Sequence, residues 1–145
     1  MNINVISLKV VKEKELTYKF DDSITSPMAA VKILQDYIGD SDREHFVIIM
    51  LDVKNKINAI HTVSTGSLVS SIVHPREVFK AAIIQNSSSI ILGHNHPSGV
   101  VDPSNEDLDT TQRLVNASEI LGIKILDHII VSDNNYLSFK EKGWI

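Results

Sequence analysis

The sequence predicts an α/β domain of mixed α+β character, a mixed β-sheet flanked by helices. Three observations lead there. Apolar runs of strand length alternate with segments of helical period. Two pairs of those runs are joined by short turn sequences, Lys54-Asn55-Lys56 and Asp133-Asn134-Asn135, as in antiparallel hairpins. The chain has 145 residues, of which 43% are hydrophobic and 22% charged. That is enough to bury one core and too ordinary for disorder or a fibrous repeat.

In chain order, residues 3–20 alternate apolar and polar side chains on either side of Lys12-Glu13-Lys14-Glu15, which predicts two strands about a charged turn. Residues 1–25 are therefore expected to form a strand or hairpin arm, and residues 26–145 the domain proper. Ser26 and Pro27 suit the N-cap and first position of a helix. Met28, Val31, Leu34 and Ile38 give that helix an apolar face, and Gly39 closes it. Residues 45–53 are too apolar for a half-exposed strand and predict an interior one. Residues 57–63 return antiparallel to it, and a short extended piece follows around residues 68–73. A helix is expected over residues 76–86, then a strand over 88–92 that breaks at Gly93. The next helix should span residues 105–121, with Leu108, Leu114, Val115, Ala117 and Leu121 inward and Gly122 as its stop. Residues 123–131 predict another buried strand and 136–139 a short final one.

Composition excludes several functions. The net charge of -4 opposes a basic nucleic-acid surface, because phosphate binding depends on clustered Lys and Arg. With no Cys there is neither a disulfide framework nor a thiolate nucleophile. Any metal must rest on His, Asp and Glu. No apolar run approaches the roughly 18 residues of a membrane span, and the N-terminal residues do not resemble a signal peptide. The expected compartment is the cytoplasm.

Chemistry concentrates in residues 90–107. A strand-like run delivers His94 and His96, a loop rich in Pro, Gly and Ser follows, and Asp107 falls in the first turn of the next helix. In extended backbone, side chains at i and i+2 project to one side, so the two imidazoles can share an ion while Asn95 points away. Two histidines and one carboxylate form a zinc set that leaves a coordination position open, as catalytic zinc requires. Simpler readings compete. Ser104-Asn105-Glu106-Asp107 is also a capping-box pattern, in which Asp107 merely holds the helix start, and an isolated His-x-His is commonly a surface pair. His45 and His61 on strands and His74 before Pro75 read as structural or exposed. Asp127-His128, in a buried strand, fits either a supporting partner of a metal site or a satisfied core pair.

His94-Asn95-His96-Pro97, followed by Ser104 and Asp107, resembles the JAMM motif (His-x-His-Pro, then Ser-x-x-Asp) of the JAB/MPN metalloprotease clan. The extension Ser98-Gly99 resembles its RadC-like branch. So do Ser64-Thr65-Gly66, His74-Pro75-Arg76-Glu77, Thr111, Leu126-Asp127-His128-Ile129-Ile130, Ser138-Phe139 and Gly143-Trp144. The resemblance implies a cytidine-deaminase-like fold of the JAB/MPN type over residues 26–145. It implies Zn2+ on His94, His96 and Asp107, with Glu44 as general acid/base. Zinc lowers the pKa of a bound water towards 7, and a nearby carboxylate can take that proton and return it to a leaving amine. Glu77 and Glu106 are its rivals. Ser104 has two roles open to it, helix N-cap or donor to the tetrahedral oxyanion.

The implied activity is that of a zinc-dependent metallopeptidase or isopeptidase acting on a peptide or protein conjugate. Two alternatives belong to other classes. One is a non-catalytic binding module in DNA repair or mobile-element metabolism, the other a phosphodiesterase. RadC-like chains often carry an N-terminal helix-hairpin-helix region, for which the segment before Ser26 offers no room. The loop Val100-Val101-Asp102-Pro103 also departs from the Asp-Pro-Thr-Pro common in the branch. Direct nucleic-acid or membrane partners are not expected, and a homo-oligomer is compatible with the sequence.

Overall fold

A computed structural model describes residues 1–19, 23–66 and 73–145. The apolar run that promised an interior strand forms β1 (Glu44–Leu51), and β2 (Ile57–Gly66) returns along it. Then come α2 (Pro75–Ile84), β3 (Ser89–Asn95), α3 (Asn105–Leu121), β4 (Lys124–Val131) and β5 (Tyr136–Ser138), with α1 (Pro27–Leu34) ahead of β1. The five strands form one sheet in the order β2-β1-β3-β4-β5. Only β3 and β4 are parallel, and α3 is the crossover between them. The fold is the mixed sheet with flanking helices that the sequence predicts.

Alternation along the central strands sorts the core into two layers. Val47, Ile49, Leu51, Ile91, Ile129 and Val131 face α1, meeting Ala30, Val31, Ile33 and Leu34. Phe46, Ile48, Met50, Ile90 and Leu92 face the other way and pack with Val78, Phe79 and Ala82 of α2 and Leu114 of α3. Each fully buried aliphatic or aromatic side chain among them contributes on the order of 1.5–3 kcal/mol through burial.

Four expectations need correction. No hairpin forms at the N-terminus: residues 1–19 carry no β-ladder, and Ile3, Val5, Ile6 and Leu8 are exposed. An isolated two-stranded ribbon has too little burial to hold itself. Ordered contact begins with Lys14 over the Tyr37 ring and an isolated bridge between Ser23 and Lys56. The first helix keeps Pro27 near its start, but the Ser26 side chain makes no capping bond, and the end of the helix widens into a π-helical turn over Gln35–Gly39. Gly93 does not break its strand. It lies inside β3 because a Cβ there would collide with the Leu34 side chain of α1, an overpacking that costs about 1–3 kcal/mol. His94 is consequently a strand residue.

In α3 the inward face is only partly the expected one. Leu114 is buried and Ala117 packs against the core as expected, but Asp107, Thr111 and Ser118 are buried too, whereas Leu108 and Leu121 are 40% and 45% exposed. Hydrophobicity missed part of the stripe because the buried face is polar at its N-terminal end. The extended piece expected around residues 68–73 falls largely outside the described residues, as do residues 20–22 of the expected arm.

Candidate metal centre

Parallel β3 and β4 end side by side, and the crossover loop between them folds the start of α3 over those ends. Strand carboxyl ends are where open α/β sheets place their ligands. Ile90, Leu92 and His94 share one face of β3, so His94 is delivered, fully buried, at the end of the layer beneath α2 and α3. His96 follows one residue beyond the strand. Its amide still bonds to Val131 O of β4 at 2.9 Å, so the second histidine is anchored like the first.

Asp107 arrives from α3. It serves as both cap and candidate ligand, through separate contacts. Its Oδ2 accepts the Ser104 amide at 2.8 Å, while Ser104 Oγ accepts the Asp107 amide at 3.1 Å, the reciprocal capping box. Its Oδ1 lies 3.2 Å from His94 Nε2, and Oδ2 lies 3.4 Å from His96 Nε2. The two Nε2 atoms are 3.0 Å apart. His94, His96 and Asp107 thus each offer one ligand atom within 4.8 Å of the others.

The chemistry of this donor set fits a metal ion. His96 Nδ1 donates to Val100 O at 2.7 Å, and a carbonyl can only accept, so the neutral ring presents a bare Nε2 lone pair to the cluster. Beside it stands a carboxylate that is 5% exposed. Burial would raise the Asp107 carboxyl, but the imidazoles of His94 and His96 outweigh it and hold it far below the usual carboxylate range. His96 is raised, chiefly by its bond to Asp107 and against its own desolvation. Two imidazole nitrogens and one carboxylate thus converge on one point, a donor set that could hold a metal ion.

Glu44 is the first residue of β1, paired with Gly66 of β2. Phe46 lies opposite His94 in the antiparallel β1–β3 ladder, so Glu44, two residues back, is on the same face as Phe46 at the strand end next to His96. Its charge is among those that raise His96. The rivals are elsewhere engaged. Glu77 is half-exposed and accepts from Lys80 at 2.6 Å, and Glu106 is exposed on the outer side of α3.

One contributor was legible only as a residue pointing away. Asn95 is fully buried; its Oδ1 accepts the His45 amide at 2.7 Å and its Nδ2 donates to Arg43 O at 2.8 Å. These are the peptide groups on either side of Glu44, so the residue between the two histidines clamps the backbone that presents the glutamate. An Asn in an apolar strand was the available signal, since a buried amide must find partners. The rings of Phe46 and Phe139 close the sides: Phe46 lies 6.0 Å from His94 centroid to centroid, and Phe139 stacks on His128 at 4.6 Å.

The other histidines divide. His45 bridges Ser41 at 2.7 Å and Thr65 at 3.0 Å, and His74 caps the start of α2 exposed. His128 is fully buried beside His94, with its Nε2 at 2.8 Å from His94 Nδ1. Desolvation, reinforced by the charge of His94, keeps His128 well below the usual imidazole range and hence neutral.

A mixed sheet carrying two histidines and an aspartate at the end of a β-α-β unit defines a JAB-type domain. The family model described as the RadC-like JAB domain matches residues 24–144, and the chain belongs to that family. It is 57% identical over 122 residues to a UPF0758 protein of Caldanaerobacter subterraneus, covering 84% of this chain and 52% of the relative. It is 51% identical over 120 residues to one of Desulfitobacterium hafniense, covering 83% and 53%. A Clostridium acetobutylicum UPF0758 protein matches at 46% over 143 residues, 97% of this chain and 62% of the relative. The chain thus spans little more than half the length of the curated relatives it matches. No helix among the described residues is long and apolar enough to cross a membrane.

Proposed function

We propose that the protein is a zinc-dependent hydrolase of amide bonds, a metallopeptidase or isopeptidase acting on a peptide or protein conjugate. The observation that carries the reading is the convergence of His94, His96 and Asp107 beside the face that bears Glu44. Three protein ligands leave a position for water and substrate, as catalytic rather than structural zinc requires. When bound, zinc supplies Lewis acidity, polarising a carbonyl and making water acidic enough to lose a proton near neutrality.

The chain's own groups do the rest. Glu44 accepts that proton and returns it to the leaving amine. Asn95 fixes the peptide groups that carry Glu44. Ser104 is N-cap and oxyanion donor at once: the cap uses a lone pair of Oγ and leaves the hydroxyl proton to be given outward. Phe46, Phe139 and Val101 keep bulk water from the buried side of the cluster, which strengthens every charge interaction within it.

The test is a screen of zinc-loaded protein against peptide and isopeptide-linked substrates, with Glu44→Gln as control. Hydrolysis that requires both zinc and Glu44 supports the assignment. Turnover by Glu44→Gln equal to that of the parent removes Glu44 as the base. Cleavage of nucleic acid with none of peptides would replace the proposal by a phosphodiesterase.

A further inference from the structure

A line of hydrogen bonds runs from the first turns of α3 into the metal cluster, and its polarity can be read from one fixed point. Thr111 Oγ1 lies 2.6 Å from Asp107 O and 2.6 Å from His128 Nδ1. The carbonyl only accepts, so the single hydroxyl proton of Thr111 is spent on it. Thr111 Oγ1 must then accept from His128 Nδ1–H. His128 is fully buried and its two ring nitrogens face only Thr111 Oγ1 and His94 Nδ1, surroundings that suit a neutral ring; with its proton on Nδ1, Nε2 is bare and must accept from His94 Nδ1–H at 2.8 Å. That leaves His94 Nε2 proton-free and facing His96 Nε2 and Asp107 Oδ1. The opposite polarity would turn the Thr111 proton towards His128 and set two oxygens 2.6 Å apart with no hydrogen between them.

We propose that Thr111 and His128 are positioning residues that fix the tautomer of His94, so that its Nε2 lone pair points into the cluster; this rests on the metal reading given above. The two metal-side histidines are thereby set by different means. His96 gives its Nδ1 proton to a loop carbonyl, Val100 O. His94 is too deep for a loop to reach and is served through a second imidazole, itself oriented by a helix hydroxyl. The donor at the far end acts on Asp107 O, so a single helical turn of α3 supplies the carboxylate ligand with one residue and the ligand tautomer with the residue four positions on. Burial of His94, Thr111 and His128 at 1%, 2% and 0% exposure keeps bulk water away from these bonds. A tautomer set in this way matters because imidazole binds a metal only through an unprotonated nitrogen, and partners of this kind typically change metal affinity by roughly 10- to 100-fold.

The experiment is long-range 1H–15N correlation of 15N-histidine-labelled protein, metal-free and at alkaline pH, for the parent, Thr111→Val and Thr111→Ser. Zn2+ affinity of each is measured by competition with a chelating dye. The parent and Thr111→Ser are expected to hold the proton on Nδ1 of both His94 and His128 and to bind zinc alike. In Thr111→Val, which preserves shape and removes the acceptor, His128 should move its proton to Nε2. His94 then follows, with its proton on Nε2 towards Asp107, and zinc affinity falls by about 10- to 100-fold. A parent in which His94 carries its proton on Nε2 overturns the proposal, whether or not any variant folds. So does a Thr111→Val variant with tautomers and affinity unchanged. Thr111-dependent tautomers in a parent that binds no zinc would uphold the positioning role and refute the metal reading.

Discussion

Asp107 and Asp127 are two buried carboxylates, 5% and 4% exposed, with opposite surroundings. Asp127 is saturated by protein donors. It accepts the His128 amide at 2.7 Å, the Lys140 amide at 3.0 Å and the Ser138 hydroxyl at 2.6 Å. It ties β4 to the turn after β5, and nothing about it invites a ligand. Asp107 accepts one amide and otherwise faces two imidazole nitrogens. A buried carboxylate is tolerable only when its charge is answered, and Asp127 is answered by the fold. Asp107 is answered chiefly by the imidazoles of His94 and His96. Burial of an acid is therefore a poor sign of function by itself; the nature of its partners is the discriminating fact.

The difference is broken most sharply by exchanging charge for an amide at each place. Asp107→Asn keeps an oxygen for the Ser104 amide but loses the anionic ligand. Stoichiometric zinc, measured by atomic emission after desalting, should be absent while the protein remains folded. Glu44→Gln should retain zinc and lose about 10²- to 10⁴-fold in turnover on whichever amide substrate the parent cleaves, the usual worth of a general acid/base. Asp127→Asn should do the reverse of Asp107→Asn. Its amide cannot accept from three donors, so denaturant unfolding should show a loss of roughly 3 kcal/mol with zinc content unchanged. Ser104→Ala removes half of the capping box and should cost about 1 kcal/mol by the same measurement.

Acidity gives the gentlest handle. In metal-free protein His96 is raised above its ordinary value of 6.5 by Asp107. That pair stabilises the fold fully below the unfolded value and loses its effect as pH rises through the folded one. Zinc binding needs the same nitrogen proton-free, so affinity rises over the interval. Melting of the metal-free and zinc-loaded forms between about pH 6 and 8 should accordingly shift in opposite directions.

Much of the fold could be read in advance where one physical rule governed a segment. The buried run of β1 declared itself by lacking alternation, and α3 by a cap at Ser104 and a stop at Gly122, whose φ of 70° marks the left-handed C-terminus. The readings that failed are those where tertiary contact overrode the local rule. Gly93 looked like a break because glycine usually is one, and only the approach of Leu34 explains it inside β3. Leu108 and Leu121 looked buried because they are apolar, and lie outside because Asp107 and Thr111 claim the inner face. The alternating arm before Ser26 looked like a hairpin, and its described residues 1–19 form none.

By itself the sequence determined the candidate ligand types and their order along the chain, because i, i+2 spacing in extended backbone and the absence of Cys leave few other donors. It also gave the family, through residues that match a motif. Tertiary structure decided what each group touches. Asp107 could be cap or ligand until its two oxygens were placed, and it is positioned for both because one carboxylate has lone pairs enough. Asn95 was a spacer until its amide was found on either side of Glu44. His128 was open between a supporting partner of a metal site and a satisfied core pair until it met Thr111 on one side and His94 on the other. A hydrogen bond's polarity depends on the partner at each end, and those partners are brought together from β3, α3 and β4 only when the sheet and its crossover helix have formed.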